Sequence, residues 1–539
     1  MSSSNRIITV NNIKLPIDAS FEEAFSVASV FLKKLHIDIE DAEFSIYKKS
    51  VDARNKSDIL FVYTVAVGGI KEKDVRRVSD NPRITLIDPC AEPYCEFGER
   101  IMAYPPLVVG AGPAGLFSAL FLAEHGFSPI LIERGERVAE RTAKVKSFIE
   151  TGILDTSSNI QFGAGGAGTF SDGKLITRIN DPLSSYVMRR LVSFGAPKDI
   201  MYLARPHIGT DVLAPVVERI IDRIIELGGE IRYKTKYIDS VRRSGTSVAI
   251  TDNGEIPYGA LVLAIGHSAR DTYRTLISNG YSLEAKQFSV GMRIEHLADD
   301  IDRAMYGDFA GHKALGHAEY NLSHNTKERG VYTFCMCPGG EVVAAASEDG
   351  GVVVNGMSNH SRSGKNSNSA VVCSIFKEDY GNTPEKAIEF QRSIERAAFI
   401  EAGGGYAAPI VTVGDFLNDS AVSSPTSVIP TYMGGKMNVK TVSPNAYLPK
   451  FVTSAIKNAI VDFDRKIRGF ASESAILTGA ETRTSSPVRI LRDNFTFLAP
   501  GTDNIYPTGE GAGYAGGITS AAIDGLKTAI SIIRTYKPL

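Results

Sequence analysis

The stretch from Leu107 to Arg134, LVVGAGPAGLFSALFLAEHGFSPILIER, constrains this chain more than any other. Leu107-Val108-Val109 is a short apolar run that reads as a buried parallel strand. Gly110, Gly112 and Gly115 follow at G-x-G-x-x-G spacing, with Pro113 and Ala114 among them. Leu116, Ala119, Leu120 and Ala123 recur at helical spacing, and Gly126 stops the helix. A second apolar run, Pro129 to Ile132, ends in Glu133. The order is that of a βαβ unit with an acidic residue about 20 positions past the glycines. Such glycines let the backbone approach a pyrophosphate, the helix N-terminus offers unpaired N–H groups, and Glu133 suits a ribose. A dinucleotide site is expected, and the motif alone does not separate NAD from FAD.

At 539 residues the chain is too long for one core, so two or three domains are expected. Lys and Arg number 59 against 61 Asp and Glu, which gives no electrostatic case for nucleic acid or an anionic membrane. The opening MSSSNRIITVNN has no apolar core, so no signal peptide is expected. The longest apolar stretch is the glycine-interrupted βα unit itself, so no membrane span is expected. Five cysteines, Cys90, Cys95, Cys335, Cys337 and Cys373, fit reduced thiols in the cytoplasm. None has convincing metal-ligand spacing, so no metal is expected.

Residues 1–100 precede the nucleotide motif. Ile7–Val10 and Ile13–Leu15 read as a strand or small hairpin, Ser20-x-x-Glu23 as a capping box, and the following residues as an amphipathic helix. Two β-rich runs, a short polar helix at about 71–79 and a strand at Ile84–Ile87 complete β-α-β-β-α-β, the ferredoxin-like α+β order. Ser50 to Arg54 reads as a polar hairpin between the middle strands. Pro105-Pro106 marks the boundary of the next domain. Arg134 and Arg141 sit where they could meet phosphate or adenine.

The loop Gln161 to Lys174 also matches G-x-G-x-x-G formally, but no apolar strand precedes it and no apolar helix follows. It reads as a backbone-lined binding loop, with Gly165, Gly166, Gly168, Thr169, Ser171 and Lys174 as neighbours of a flat, polar ligand. A long helix after Thr210 ends at Gly228-Gly229. The run Leu261 to Gly266, including Ala264, is an apolar strand entering a glycine turn. From 270 to 482 strands shorten, and three polar clusters stand out: Gly291 to His296, Tyr332 to Gly340 and Asn355 to Ser369. The last has the composition of an exposed loop tethered by apolar flanks. Near the end, Ile505 to Ile518 is a strand, a glycine turn carrying Glu510 and Gly511, and a helix start at Gly517-Ile518.

These four segments, in this order, resemble the glutathione-reductase-type (Rossmann-like) FAD-binding fold. Tyr237 matches the position whose backbone meets adenine, and Glu510 falls where an acidic residue, usually Asp, meets the ribityl chain. RPHIGTD, GMRIEH, CMCPGG, NGMS, GAETRTSSPVR and GEGAGYAGGITSAAIDG are similar to a family of bacterial FAD-dependent dehydrogenases labelled NAD(FAD)-utilising dehydrogenases, which also carry an S-x-D-A-R stretch like Ser50 to Arg54.

The resemblance implies an α/β chain with a ferredoxin-like domain at 1–100. It implies a discontinuous FAD domain at 101–270 and 483–539, with an inserted mixed β substrate domain at 271–482. It implies FAD as cofactor and little about the substrate, which is expected to be a small molecule lying over the flavin. Arg293, Glu295, Arg483, Ser485, Ser486 and Arg489 are the candidate polar groups there, and three arginines could hold a carboxylate. Cys337 is the candidate redox thiol. With one dinucleotide unit, NAD(P)H is expected as a transient electron donor at most, and a quinone or protein carrier as the other partner. The alternative is a flavin electron-transfer protein serving a protein docked on the N-terminal domain.

Overall fold

The computed structural model describes residues 7–78, 80–87, 92–177, 179–432 and 438–539, so Cys90 lies outside the described residues. The chain divides into two compact units. One holds Met1–Pro93, Asn180–His207 and Asp299–Ala318; the other holds Tyr94–Ile179, Ile208–Ala298 and Glu319–Leu539.

In the first unit, Ile7–Pro16 is a single strand rather than a hairpin. Its pairing slips between Val10 and Ile13, where Asn12 takes a left-handed φ of 59°. The slip absorbs the polar Asn11-Asn12 pair without ending the strand. Helix Phe21–Lys34 starts as its capping box predicts, Ser20 Oγ accepting the Glu23 N–H and the Glu23 carboxylate accepting the Ser20 N–H. Ala24, Ala28 and Leu32 bury its inner face. Strand Ile7–Pro16 lies between Leu60–Gly68 and Ile84–Ile87, with Glu43–Asp52 on the far side of Leu60–Gly68; every neighbouring pair is antiparallel. This is the split βαβ order expected. The edge strand is partly covered from within the unit, since Lys49 exchanges backbone hydrogen bonds with Tyr202 and Ala204. At the Ser50 to Arg54 turn, Asp52 accepts from Lys14 and from both forks of Arg54.

The second unit is built on five short parallel strands in the order Ile505–Pro507, Leu261–Leu263, Leu107–Val109, Ile130–Ile132, Glu230–Arg232. All three residues of Leu107–Val109 and of Leu261–Leu263 are buried, as an all-apolar strand in a covered parallel sheet must be. Helix Pro113–Glu124 buries every residue from Ala114 to Ala123 and packs against helices Thr210–Glu226 and Ile518–Thr535. A three-stranded meander spans Tyr237–Arg243, Thr246–Thr251 and Gly254–Pro257.

A seven-stranded mixed sheet forms the rest, in the order Ser323–Asn325, Gly330–Cys337, Asn366–Ile375, Phe288–Leu297, Ile476–Glu481, Ala408–Thr412, Val439–Thr441. Helix Lys450–Lys466 packs across four of these strands. The cluster at 355–369 is not simply an exposed loop. Its second part enters the buried strand Asn366–Ile375, where only Ser374 is not fully buried. Polar residues survive there because they are bonded: Asn366 to Glu295 and the Ile429 carbonyl, Asn368 to Arg293, Ser369 to Tyr320. Among the described residues no helix is long and apolar enough to cross a membrane.

Candidate functional site

A cavity of about 310 Å³ in the second unit is reached by the carboxyl ends of four of the five parallel strands. This is where ligands bind open α/β sheets. Gly110, Gly112, Pro113 and Ala114 line it after Leu107–Val109, Glu133 and Arg134 after Ile130–Ile132, and Ala264 and Gly266 after Leu261–Leu263. Glu510, Gly517 and Ile518 reach it from the last strand and its helix, and Gly166, Gly168, Ser171 and Lys174 from the glycine-rich loop. Tyr237 adds its side at the start of the meander.

The other expected contacts lie beneath this surface. A Cβ on Gly115 would sit 1.9 Å from the Gly110 carbonyl, so that glycine serves helix–strand packing. The Gly165 amide is bonded to the Ala111 carbonyl, and Thr169 packs buried under the loop. Gly511 abuts the Gly266 turn, its carbonyl accepting the Tyr273 hydroxyl.

Arg141 does not line the cavity. Its side chain is fully buried, and its guanidinium donates to the carbonyls of Asn159, Ile160, Gly163, Ala164 and Gly166. It is the scaffold of the glycine-rich loop, whose backbone carbonyls would otherwise be buried without partners. Burial lowers it to about 9, which leaves it charged at neutral pH. Arg141→Ala is expected to cost about 3–5 kcal/mol, because five carbonyls lose their donor at once. A urea titration of purified protein measures this, and an unchanged midpoint would contradict the scaffold role.

Glu133 is buried and accepts from three backbone N–H groups: Ala111 and Gly135 at 2.9 Å and Gly163 at 3.0 Å. A carboxylate offers about four lone-pair sites, so one remains for a ribose hydroxyl. Arg134 is held by Asp271 in a two-bond fork at 3.1 Å and lies over the Phe162 ring. Asp524 positions the Glu510 turn, accepting from the Gly509 N–H (2.7 Å), Thr508 and Arg492. Burial pushes the Glu510 carboxyl up to about 7, with Lys286 the nearby positive charge.

The candidate substrate groups are mostly elsewhere. Only Arg483 of that set lines the cavity. Ser485 is half-buried off the lining, and Ser486 bonds Tyr273 and the Val488 carbonyl. Glu295 is buried against Asn366 and Thr431. The arginine clamp does not form, because each guanidinium already has a carboxylate. Arg293 pairs with Glu481 (3.1 Å), Arg483 with Glu395 (3.1 Å) and Arg489 with Glu284 (3.1 Å). Arg293 and Arg483 are buried and take their counter-charge from within the fold, whereas Arg489 is partly exposed.

Groups not singled out in the sequence also line the cavity: Gln161, His267, Ser268, Phe334, Cys335, Asn355, Glu481 and Thr484. Most lie inside or beside stretches already notable, but only the fold shows which member faces inward. Gln161 donates its amide to the Ala345 carbonyl and so presents oxygen to Ser268; the Ser268 hydroxyl donates to it. His267 Nδ1 must then donate to Ser268 Oγ at 2.8 Å, which leaves Nε2 unprotonated. Burial, with Arg483 and Arg270 near, lowers His267 to about 3, so the ring is neutral.

The cradle fits a dinucleotide. A Cβ on Gly112 would meet nothing nearer than 3.9 Å, and Gly516 and Gly517 have nothing within 4 Å, although all three line the cavity. Gly112 and Gly517 have extended φ values of −78° and 177°, which any residue adopts. Packing and backbone conformation do not require glycine at either position, and the space beside both is open to a ligand. The pyrophosphate would sit on the first turn of Pro113–Glu124, the ribose on Glu133, and the flavin half between Gly166–Gly168 and Glu510. Bound there, FAD supplies two-electron redox chemistry.

Comparison with known proteins agrees. A model of the FAD binding domain matches residues 103–149, one of the FAD-dependent protein, C-terminal domain-like, matches 287–484, and a domain of unknown function matches 7–68. The chain is a flavoprotein, and FAD is its cofactor. It belongs to the same family as an uncharacterized protein of Clostridium beijerinckii, to which it is 44% identical over 534 residues, 98% of this chain and 99% of that one. Solved structures are more distant. CtdE in complex with FAD is 12% identical over 79% of this chain and 84% of its own, with a TM-score of 0.32. The halogenase PltM is 11% identical over 79% and 67%, with a TM-score of 0.35. Likenesses at this level carry no argument about substrate.

Proposed function

We propose that this chain is an FAD-dependent oxidoreductase, with a glutathione-reductase-type FAD domain, that moves a hydride between FAD and a small-molecule substrate. One observation carries the reading: a single cavity is lined both by the nucleotide-cradling turns and by Phe334, Cys335, Glu481, Arg483 and Thr484 of the other sheet and its exit. A substrate held by that second set lies beside whatever the glycine turns hold. Because the arginines are neutralised, the site suits an uncharged hydroxyl or amine better than a carboxylate. His267, neutral at the cavity wall, is the hydrogen-bonding group this proposal sets beside the substrate.

The test begins with heat-denaturing the purified protein and measuring released FAD, expected at about one per chain. The holoprotein is then mixed under argon with NADH, NADPH and panels of neutral alcohols and amines while the flavin band is followed. Bleaching by one of these identifies the hydride donor. A protein without flavin, or a flavin that small carboxylates bleach while neutral compounds do not, overturns the reading.

A further inference from the structure

We propose that Cys335 and Cys337 are a redox-active dithiol that exchanges two electrons with FAD through the shared cavity. This rests on the flavin-site reading above and moves the redox role from Cys337 alone to the pair, with Cys335 as the member facing the cavity.

The geometry is specific to these two cysteines. Strand Gly330–Cys337 carries one extra residue against its neighbour, since Phe334 pairs with Ala370 but Cys337 with Asn368. Such bulges re-aim side chains and gather at active sites. The bulge holds Cys335 at a left-handed φ of 45°, a conformation that a non-glycine residue keeps only where its surroundings enforce it. Arg293 enforces it here, donating Nη2–H to the Cys335 carbonyl at 2.7 Å. Gly356 leaves room for that guanidinium; a Cβ there would lie 2.1 Å from Arg293 Nη2.

The two thiols are neighbours at this bulge. Cys337 Sγ is also 3.4 Å from the Cys335 carbonyl and 3.7 Å from Arg293 Nη2. Cys335 lines the cavity together with Lys174 and Glu481, whereas Cys337 is fully buried behind it. The contact with Cys337 and the positive charges of Arg293 and Lys174 hold the Cys335 thiol down, while the contact and burial push Cys337 up. One accessible, ionised thiol beside one shielded, protonated thiol is the asymmetry that disulfide exchange requires. Cys373 is the contrast: buried within a continuous strand and pushed up to about 11, it is a packing residue. Among the described residues no group of three His, Cys, Asp or Glu is placed to hold a metal, so the pair is not part of a metal site there.

In the step proposed, the Cys337 S–H bond breaks and the Cys335 thiolate and Cys337 sulfur form one S–S bond. Two electrons and the Cys337 proton pass to FAD, and the reverse restores the thiolate and the thiol.

The test is an anaerobic dithionite titration of the air-oxidised holoprotein, followed at the flavin band. Wild type is expected to take up four electrons per FAD, two for the flavin and two for the disulfide, whereas Cys335→Ser and Cys337→Ser take up two. Iodoacetamide labelling and mass spectrometry of wild type give an independent readout that needs no variant to fold. The peptide holding both cysteines should be unlabelled and two hydrogens lighter until reduced. Two electrons per FAD in wild type, with both thiols labelled after oxidation, would overturn the proposal. A failure of the flavin reading shows separately, as no flavin band, and leaves the thiol measurement intact.

Discussion

Glu395→Ala is expected to destabilise the second unit strongly. Glu395 is 1% exposed and accepts two bonds from Arg270 (2.7 and 2.8 Å), two from Arg483 (both 3.1 Å) and one from Thr482 (2.7 Å). Both guanidiniums are buried, so the variant strands two charges, only partly compensated by Glu348. Breaking one buried pair costs about 3–5 kcal/mol, and here two break together. The measurement is the urea midpoint of the variant against wild type; a shift worth less than about 1 kcal/mol would refute the assignment. Acid should act through the same group. The two arginines hold the Glu395 carboxyl far below its ordinary range. Its contribution is complete above the unfolded value of about 4.3 and is lost as pH falls below it. Glu395→Gln should therefore be less stable at neutral pH but lose less on acidification, so the two stability curves converge toward low pH.

Gly112→Val is expected to abolish FAD binding while leaving the protein folded. The added side chain meets no protein atom at its Cβ nearer than 3.9 Å and sits on ordinary backbone, but it fills the cradle at the start of helix Pro113–Glu124. Loss of at least about two decades of affinity is anticipated, or roughly 3 kcal/mol. FAD content after gel filtration, with circular dichroism as the fold control, reads both halves. Gly115→Ala provides the opposite case, because its Cβ clashes with backbone at 1.9 Å; it should fail to fold rather than merely fail to bind. A Gly112→Val protein that retained stoichiometric FAD would remove the pyrophosphate from this turn.

The two glycines stand three residues apart in one motif and have different duties, and the sequence cannot tell them apart. The same is true of the arginines. Arg134 and Arg141 both follow the second strand, yet one lines the cavity and the other holds the loop from beneath. Arg293 and Arg483 were both candidate anion holders, and each is consumed by a carboxylate remote in sequence, Glu481 or Glu395. Ion pairing between distant positions leaves no local pattern to read.

What the sequence by itself determined is whatever depends on near neighbours. The βαβ unit, its glycine spacing, the Ser20 capping box and the β-α-β-β-α-β order follow from periodicity and turn chemistry over a few residues. The strand-end positions of Glu133, Gly266 and Glu510 follow too, because a strand's end is written where its apolar run stops. Tertiary structure alone decided which side chains share the cavity and which charges neutralise one another. Cys335 and Cys337 show why. Strict alternation puts both on one face of a strand, and only a one-residue slip against Asn366–Ile375 turns one thiol to the cavity and buries the other.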